Sequence, residues 1–329
     1  MSVLIGGCGS TGSTLLRHIL NRHPRIFCGP ELNFFNKEQL FRNWEKEKHK
    51  IKGPSRFLAT EGWVPYTGTR LLNPQYGWTR KYLYRLIDSA HTIREFADKY
   101  FMPAKKRHNA DIWIEKTPSN VYCFKQFLNQ SPKNKVIHLA RSPYATVASY
   151  VNRGYSPIFS AGMYIYNMSS ALKVRKSSNY HYLKYEDLLQ DPEKQLSAIL
   201  AFLKFKFENK ILIPKENEKR ESIGSWQNQP NQTINRKKKS QFEAAPLEIQ
   251  KEIITALSVF RIRSRVARQK ALPFCDCESL CQVLGYDFEP EVYPSALKSI
   301  KIDLAKDHLK RSLKFYPTGW FNFPAELSY

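Results

Sequence analysis

The stretch Ser2-Val3-Leu4-Ile5-Gly6-Gly7-Cys8-Gly9-Ser10-Thr11-Gly12-Ser13-Thr14-Leu15-Leu16 decides how the rest of the chain is read. Ser2 to Ile5 is a short apolar run of strand type, and Leu15, Leu16, Ile19 and Leu20 then recur at helical spacing. Between them lies a glycine-rich loop. Glycine lets a backbone turn its N–H groups inward, and the helix start that follows adds free N–H groups and the positive end of its dipole. A strand, loop and helix in this order suit a phosphate, and the hydroxyls of Ser10, Thr11, Ser13 and Thr14 add further donors.

The loop fits the known phosphate-binding patterns unequally. On the frame GxxxxGK[ST], Gly7, Gly12, Ser13 and Thr14 put a serine where the phosphate-gripping lysine belongs, which argues against ATP or GTP hydrolysis. The frame GxGxxG is met by Gly7, Gly9 and Gly12, and Glu31 follows about twenty residues on, where a dinucleotide fold keeps its ribose-binding acid. An NAD-type oxidoreductase is therefore open. Against it, Leu16 stands where a small residue usually packs helix on strand, and Gly29-Pro30 interrupts the second strand just before the acid. A glycine turn that binds nothing is the plain structural alternative.

Composition bounds the function without choosing it. The 329 residues are 42% hydrophobic and 13% aromatic, enough to bury a substantial core in one α/β domain with additions or in two domains. Lys and Arg number 52 against 29 Asp and Glu, and the formal charge of +23 points to anionic partners: nucleic acid, acidic glycans, an anionic lipid surface or a multiply charged nucleotide. A basic nucleic-acid-binding protein needs aromatics interleaved with its basic runs, a pattern that Arg236 to Lys239 does not show. No run approaches the roughly twenty apolar residues of a membrane span, and the opening strand does not have the build of a signal peptide, so a cytoplasmic protein is expected. Six scattered cysteines suggest no disulfide framework, and Cys275, Cys277 and Cys281 lack a CxxC pair or a nearby histidine, so free thiols and no metal are expected there.

Further along, Ile26 to Cys28 reads as a second strand, which brings Glu31 to the carboxyl end of the sheet beside the loop. Residues 36–100 are polar, aromatic and irregular, an insertion able to cover a cleft or a solvated excursion. Ile112-Trp113-Ile114 returns to strand before Glu115-Lys116-Thr117-Pro118, with Ser119 or Asn120 capping the next helix. Val136 to Ala140 is a buried strand running into Arg141-Ser142-Pro143, where Ser142 and Pro143 make a helix start. Arg141 then stands at the strand end and Ser149 lies two turns along the helix, so an arginine fork and a hydroxyl can grip one phosphate. Asp191-Pro192 opens another helix, and residues 246–268 read as one long amphipathic helix with a basic end.

Taken in order, the Gly9 to Glu31 stretch, Glu115-Lys116-Thr117-Pro118, Arg141 to Ser149 and Tyr185-Glu186-Asp187-Leu188 to Asp191-Pro192 resemble the sulfotransferases that use 3′-phosphoadenosine-5′-phosphosulfate, in particular their tyrosylprotein and carbohydrate branch. The resemblance implies a three-layer α/β fold, a central parallel sheet flanked by helices around a P-loop-like phosphate loop. It implies that Ser10, Thr11, Gly12, Ser13 and Thr14 hold the 5′-phosphosulfate, that Arg141, Ser149 and Arg153 hold the 3′-phosphate, and that Tyr185 approaches the adenine. Lys116 would reach the transferring sulfuryl group and Glu31 would be the general base, without a metal. The segment Ser222 to Trp226 resembles a loop that closes over the nucleotide, with Ser222 and Lys237 as donor contacts. Ser10 and Ser225 depart from the basic residues that relatives carry there. On this resemblance residues 1–286 form the sulfotransferase domain and 287–329 an extension without a match. The acceptor would be a hydroxyl on a carbohydrate or glycolipid, with a peptide tyrosine or small alcohol behind it.

Overall fold

The computed structural model describes residues 1–52, 76–214, 240–312 and 325–327. Its main sheet has five strands: β1 (Ser2–Gly7), β2 (Ile26–Cys28), β3 (Ile112–Lys116), β4 (Lys135–Ala140) and β5 (Tyr180–Lys184), in the order β2-β3-β1-β4-β5. All neighbours run parallel, with Ile5 opposite Lys116 on one side and Ile137 on the other. β1 is central and buried on both faces, which is why it is apolar without alternation.

Its side chains divide between two layers. Val3 and Ile5 meet Leu15, Leu16, Ile19 and Leu20 of the helix Ser13–Asn21, together with Leu196, Ile199 and Leu200 of the helix Pro192–Phe202. Leu4 turns the other way into an aromatic core with Phe27, Trp113, Phe124 and Phe127. The helix after β1 therefore lies on one face and the segment after β3 on the other. Such a switch opens a crevice at the carboxyl ends of the strands, where ligands of open α/β sheets bind. The fold class stands as the sequence implied, and the glycine-rich loop joins β1 to the helix Ser13–Asn21.

Several local expectations are corrected. The region expected to be irregular holds the helices Glu38–Arg42, Trp44–Glu47, Arg80–Ser89 and Ile93–Arg107. In the last of these Ile93, Phe96, Ala97, Tyr100, Phe101 and Ala104 share one buried stripe, and Phe101 stacks on Trp113 at 4.2 Å. The expected helix over 246–268 breaks into Leu247–Val259, the short strand β6 (Phe260–Ile262) and Ser264–Lys270. Phe260 packs over Gly162, the Ile262 N–H donates to the Cys275 carbonyl, and β6 pairs antiparallel with β7 (Ala325–Leu327). Tertiary partners thus override the helical period. Beyond 286 the helix Pro294–Ser312 buries Ala296 and Ile300 against the body. No helix among the described residues is long and apolar enough to cross a membrane.

Candidate active site

The loop after β1 is shaped by left-handed backbone at Ser10 (φ 69°) and Gly12 (φ 86°). Gly12 has no substitute, because a Cβ there would lie 2.2 Å from the Tyr185 ring. Thr11 Oγ1 donates back to the Cys8 carbonyl at 2.7 Å and braces the turn. Burial pushes the Cys8 thiol up to about 12, so it stays protonated and is no nucleophile. Ser10 Oγ is buried and has no hydrogen-bond partner among the described residues. A hydroxyl kept dry and unpaired costs free energy unless the acceptor atom of a ligand completes it.

Lys116 stands at the end of β3, beside the glycine-rich loop. Its Nζ donates to Thr14 Oγ1 at 3.2 Å and pairs with the Glu31 carboxylate. Lys116 is 1% exposed and Glu31 22%, so the carboxylate is the partner that an incoming molecule can reach. The turn carrying Glu31 is held by a residue whose role was not anticipated. Glu115, fully buried, accepts from the Leu32 N–H at 2.9 Å, the Thr117 hydroxyl at 2.6 Å and Asn120 Nδ2 at 2.5 Å. Burial pushes its pKa up to about 7 despite these three donors. Asn120, expected as a helix cap, reaches instead to the Ile5 carbonyl and Glu115, and Pro118–Cys123 is a 3-10 turn before the helix Phe124–Asn129. The signal for Glu115 was its place beside Lys116, but the partner that ties it to the Glu31 turn, Leu32, is 83 positions away.

At the end of β4, Arg141 Nη1 donates to the Ser10 carbonyl at 3.0 Å, and its guanidinium lies 5.0 Å from the centre of the Tyr185 ring. Arg141 and Tyr185 thus flank the loop together. Burial raises the Tyr185 pKa, and nearby Arg141 partly offsets this. Ser142 sits at the helix start as expected, but its side chain makes no capping bond; its N–H goes to Glu186 Oε1 at 2.9 Å. Ser149 is buried further along Pro143–Val151, and Arg153, beyond its end, is exposed over the Tyr150 ring at 5.7 Å. Ser222 and Lys237 lie outside the described residues. Asp191 caps Pro192–Phe202 through the Lys194 N–H at 3.1 Å, as its sequence implied.

A five-stranded parallel sheet with a glycine-rich loop at its central strand and cations at the adjoining strand ends defines an α/β protein with a P-loop-like fold. Residues 2–209 match the model of the Sulfotransferase family, and the chain belongs to that family. It is 24% identical over 225 residues to protein-tyrosine sulfotransferase 2 of Gallus gallus, a match covering 65% of this chain and 54% of that protein. The chain thus spans about half the length of this relative. The sulfotransferase domain of the curacin biosynthetic pathway has a similar fold, with a TM-score of 0.55 and 17% identity over 87% of this chain and 98% of that one. So does the sulfotransferase domain of the Synechococcus PCC 7002 olefin synthase, at 0.51 and 20% over 88% and 95%.

Proposed function

We propose that this chain transfers a sulfuryl group from 3′-phosphoadenosine-5′-phosphosulfate to an acceptor hydroxyl. The observation that carries the reading is Lys116, whose buried ammonium touches both the phosphate loop, at Thr14, and the half-open Glu31. A cation there lies where charge on the transferring group needs it, and the carboxylate beside it can take a proton.

In the reaction the acceptor oxygen forms a bond to sulfur as the bond from sulfur to the phosphate oxygen breaks. The acceptor proton passes to Glu31, and 3′-phosphoadenosine-5′-phosphate leaves carrying the electron pair. Lys116, Ser10, Ser13, Thr14 and the loop N–H groups neutralise the phosphosulfate, while Arg141, with Ser149 and Arg153, takes the 3′-phosphate and Tyr185 the adenine side. In the free protein Lys116 and Glu31 neutralise each other. Sulfuryl oxygens compete for the ammonium and so release the carboxylate as a base.

Family membership and the Lys116 contacts favour this reading over the dinucleotide oxidoreductase and nucleic-acid alternatives. For the acceptor, similarity to a protein-tyrosine sulfotransferase favours a peptide tyrosine beside the carbohydrate or glycolipid hydroxyl. Residues 1–286 form the transferase unit in this reading, with 36–100 at the acceptor side. Thermal shift tests the donor: 3′-phosphoadenosine-5′-phosphate should stabilise the protein and NAD, ATP and RNA should not. Stabilisation by NAD alone would overturn the reading.

A further inference from the structure

Glu186 follows Tyr185 in the sequence, and the mechanism above gives it no part. Its two carboxylate oxygens point in different directions. Oε1 accepts the Ser142 N–H at 2.9 Å, and Oε2 accepts the Tyr286 hydroxyl at 2.8 Å. The Ser142 N–H belongs to the peptide group whose carbonyl is that of Arg141, and that carbonyl accepts from the Tyr164 hydroxyl at 3.2 Å. The peptide that fixes where the Arg141 side chain begins is therefore gripped from both ends. No side chain contact of Arg141 itself is needed for this, because the grip acts on the backbone.

The outer end of the grip is anchored as well. Tyr286 follows Gly285, the left-handed cap (φ 70°) of the helix Cys277–Leu284. Tyr182 donates to the Leu284 carbonyl at 2.8 Å, Lys184 bonds to the Gly285 carbonyl, and the Lys184 ammonium lies 4.8 Å from the centre of the Tyr286 ring. β5 thus carries both the residues that pin the 284–286 turn and, just beyond its end, the carboxylate that the turn supports. Burial first, and then the Glu186 charge, push the Tyr286 pKa well up, so its hydroxyl remains a donor.

We propose that Glu186 and Tyr286 are positioning residues that hold Arg141 for the donor's 3′-phosphate, and so make the 284–286 turn part of the donor site. The proposal rests on the donor reading above. It follows from elementary geometry: Arg141 reaches Ser10 through a long side chain, so a small rotation of its peptide moves the guanidinium by far more than a hydrogen bond tolerates.

The test is the ratio of affinities for 3′-phosphoadenosine-5′-phosphate and adenosine 5′-monophosphate, measured on the full chain by calorimetry. Glu186→Ala should lower that ratio about tenfold. Glu186→Gln should keep it within about twofold, because an amide oxygen still accepts from Ser142 and its NH2 can donate to a rotated Tyr286 hydroxyl. Tyr286→Phe, nearly isosteric and the variant to rely on if Glu186→Ala does not fold, should lower the ratio about threefold. A purely structural role would lower the melting temperature and leave the ratio of the folded protein unchanged. An unchanged ratio in the Ala and Phe variants, with a wild type that prefers the 3′-phosphate, overturns the positioning role alone. A wild-type ratio near one overturns the donor reading and the positioning role with it.

Discussion

Glu31 and Ser10 are the residues at which the proposed chemistry is most exposed to test. Glu31→Gln removes the proposed proton acceptor but also frees Lys116 from its ion pair, so nucleotide affinity should hold or tighten while turnover falls on the order of a hundredfold or more. A ribose-binding acid would behave in the opposite way, losing nucleotide and not turnover. Titration calorimetry and a sulfuryl-transfer assay on one preparation separate the two. Ser10→Ala removes a buried hydroxyl that has no partner among the described residues. Stability should therefore be unchanged or slightly higher, while donor affinity drops by roughly three- to tenfold as a bond to an anionic oxygen is lost. A drop in melting temperature with intact affinity would show that Ser10 serves the fold and not the donor. The Arg141 guanidinium rests on the Ser10 carbonyl, so the neighbourhood of this hydroxyl is cationic.

At the scale of elements, the loop and its helix depend on Gly12. Gly12→Ala forces a Cβ into the left-handed region, at a cost of about 1–2 kcal/mol, and drives it 2.2 Å from the Tyr185 ring. Denaturation midpoints should fall, and donor stabilisation should vanish with the displaced ring; a variant that still gains stability from 3′-phosphoadenosine-5′-phosphate would mean that the ring is not part of the site. This element was readable in advance because its cues are local: apolar strand, glycines, helical period. The same holds for β4 with Arg141 and for the Asp191-Pro192 helix start. Ile93–Arg107 was not readable, since its stripe is interleaved with charges and Pro103 lies inside it. Nor was the break at Phe260, which depends on Gly162 and Cys275. Glu115 and Glu186 escaped for a related reason. The role of such a carboxylate is set by its partners, and those of Glu115 and Glu186 lie up to 83 and 100 positions away.

For the molecule as a whole, Glu115 couples stability to pH. Its carboxyl titrates near 7 when folded against a reference of 4.5. Below pH 4.5 both states hold the proton; between 4.5 and 7 the unfolded chain releases it first, so stability falls by an amount on the order of 3 kcal/mol and stays lost above 7. Burial pushes His138 down to about 3, which adds an opposite slope below 6.5, so the comparison of two proteins is what matters. Urea denaturation from pH 4.5 to 8 should show Glu115→Gln gaining on the wild type as pH rises; parallel curves would show that Glu115 is already ionised in the fold. The ion pair between Lys116 and Glu31 sets a different dependence, one of time. On the proposed mechanism, an acceptor that arrives first would meet a carboxylate already engaged, and its encounter would be unproductive until donor had claimed the ammonium. Turnover should therefore follow a compulsory order with donor first, and the spent nucleotide should inhibit competitively against donor and noncompetitively against acceptor.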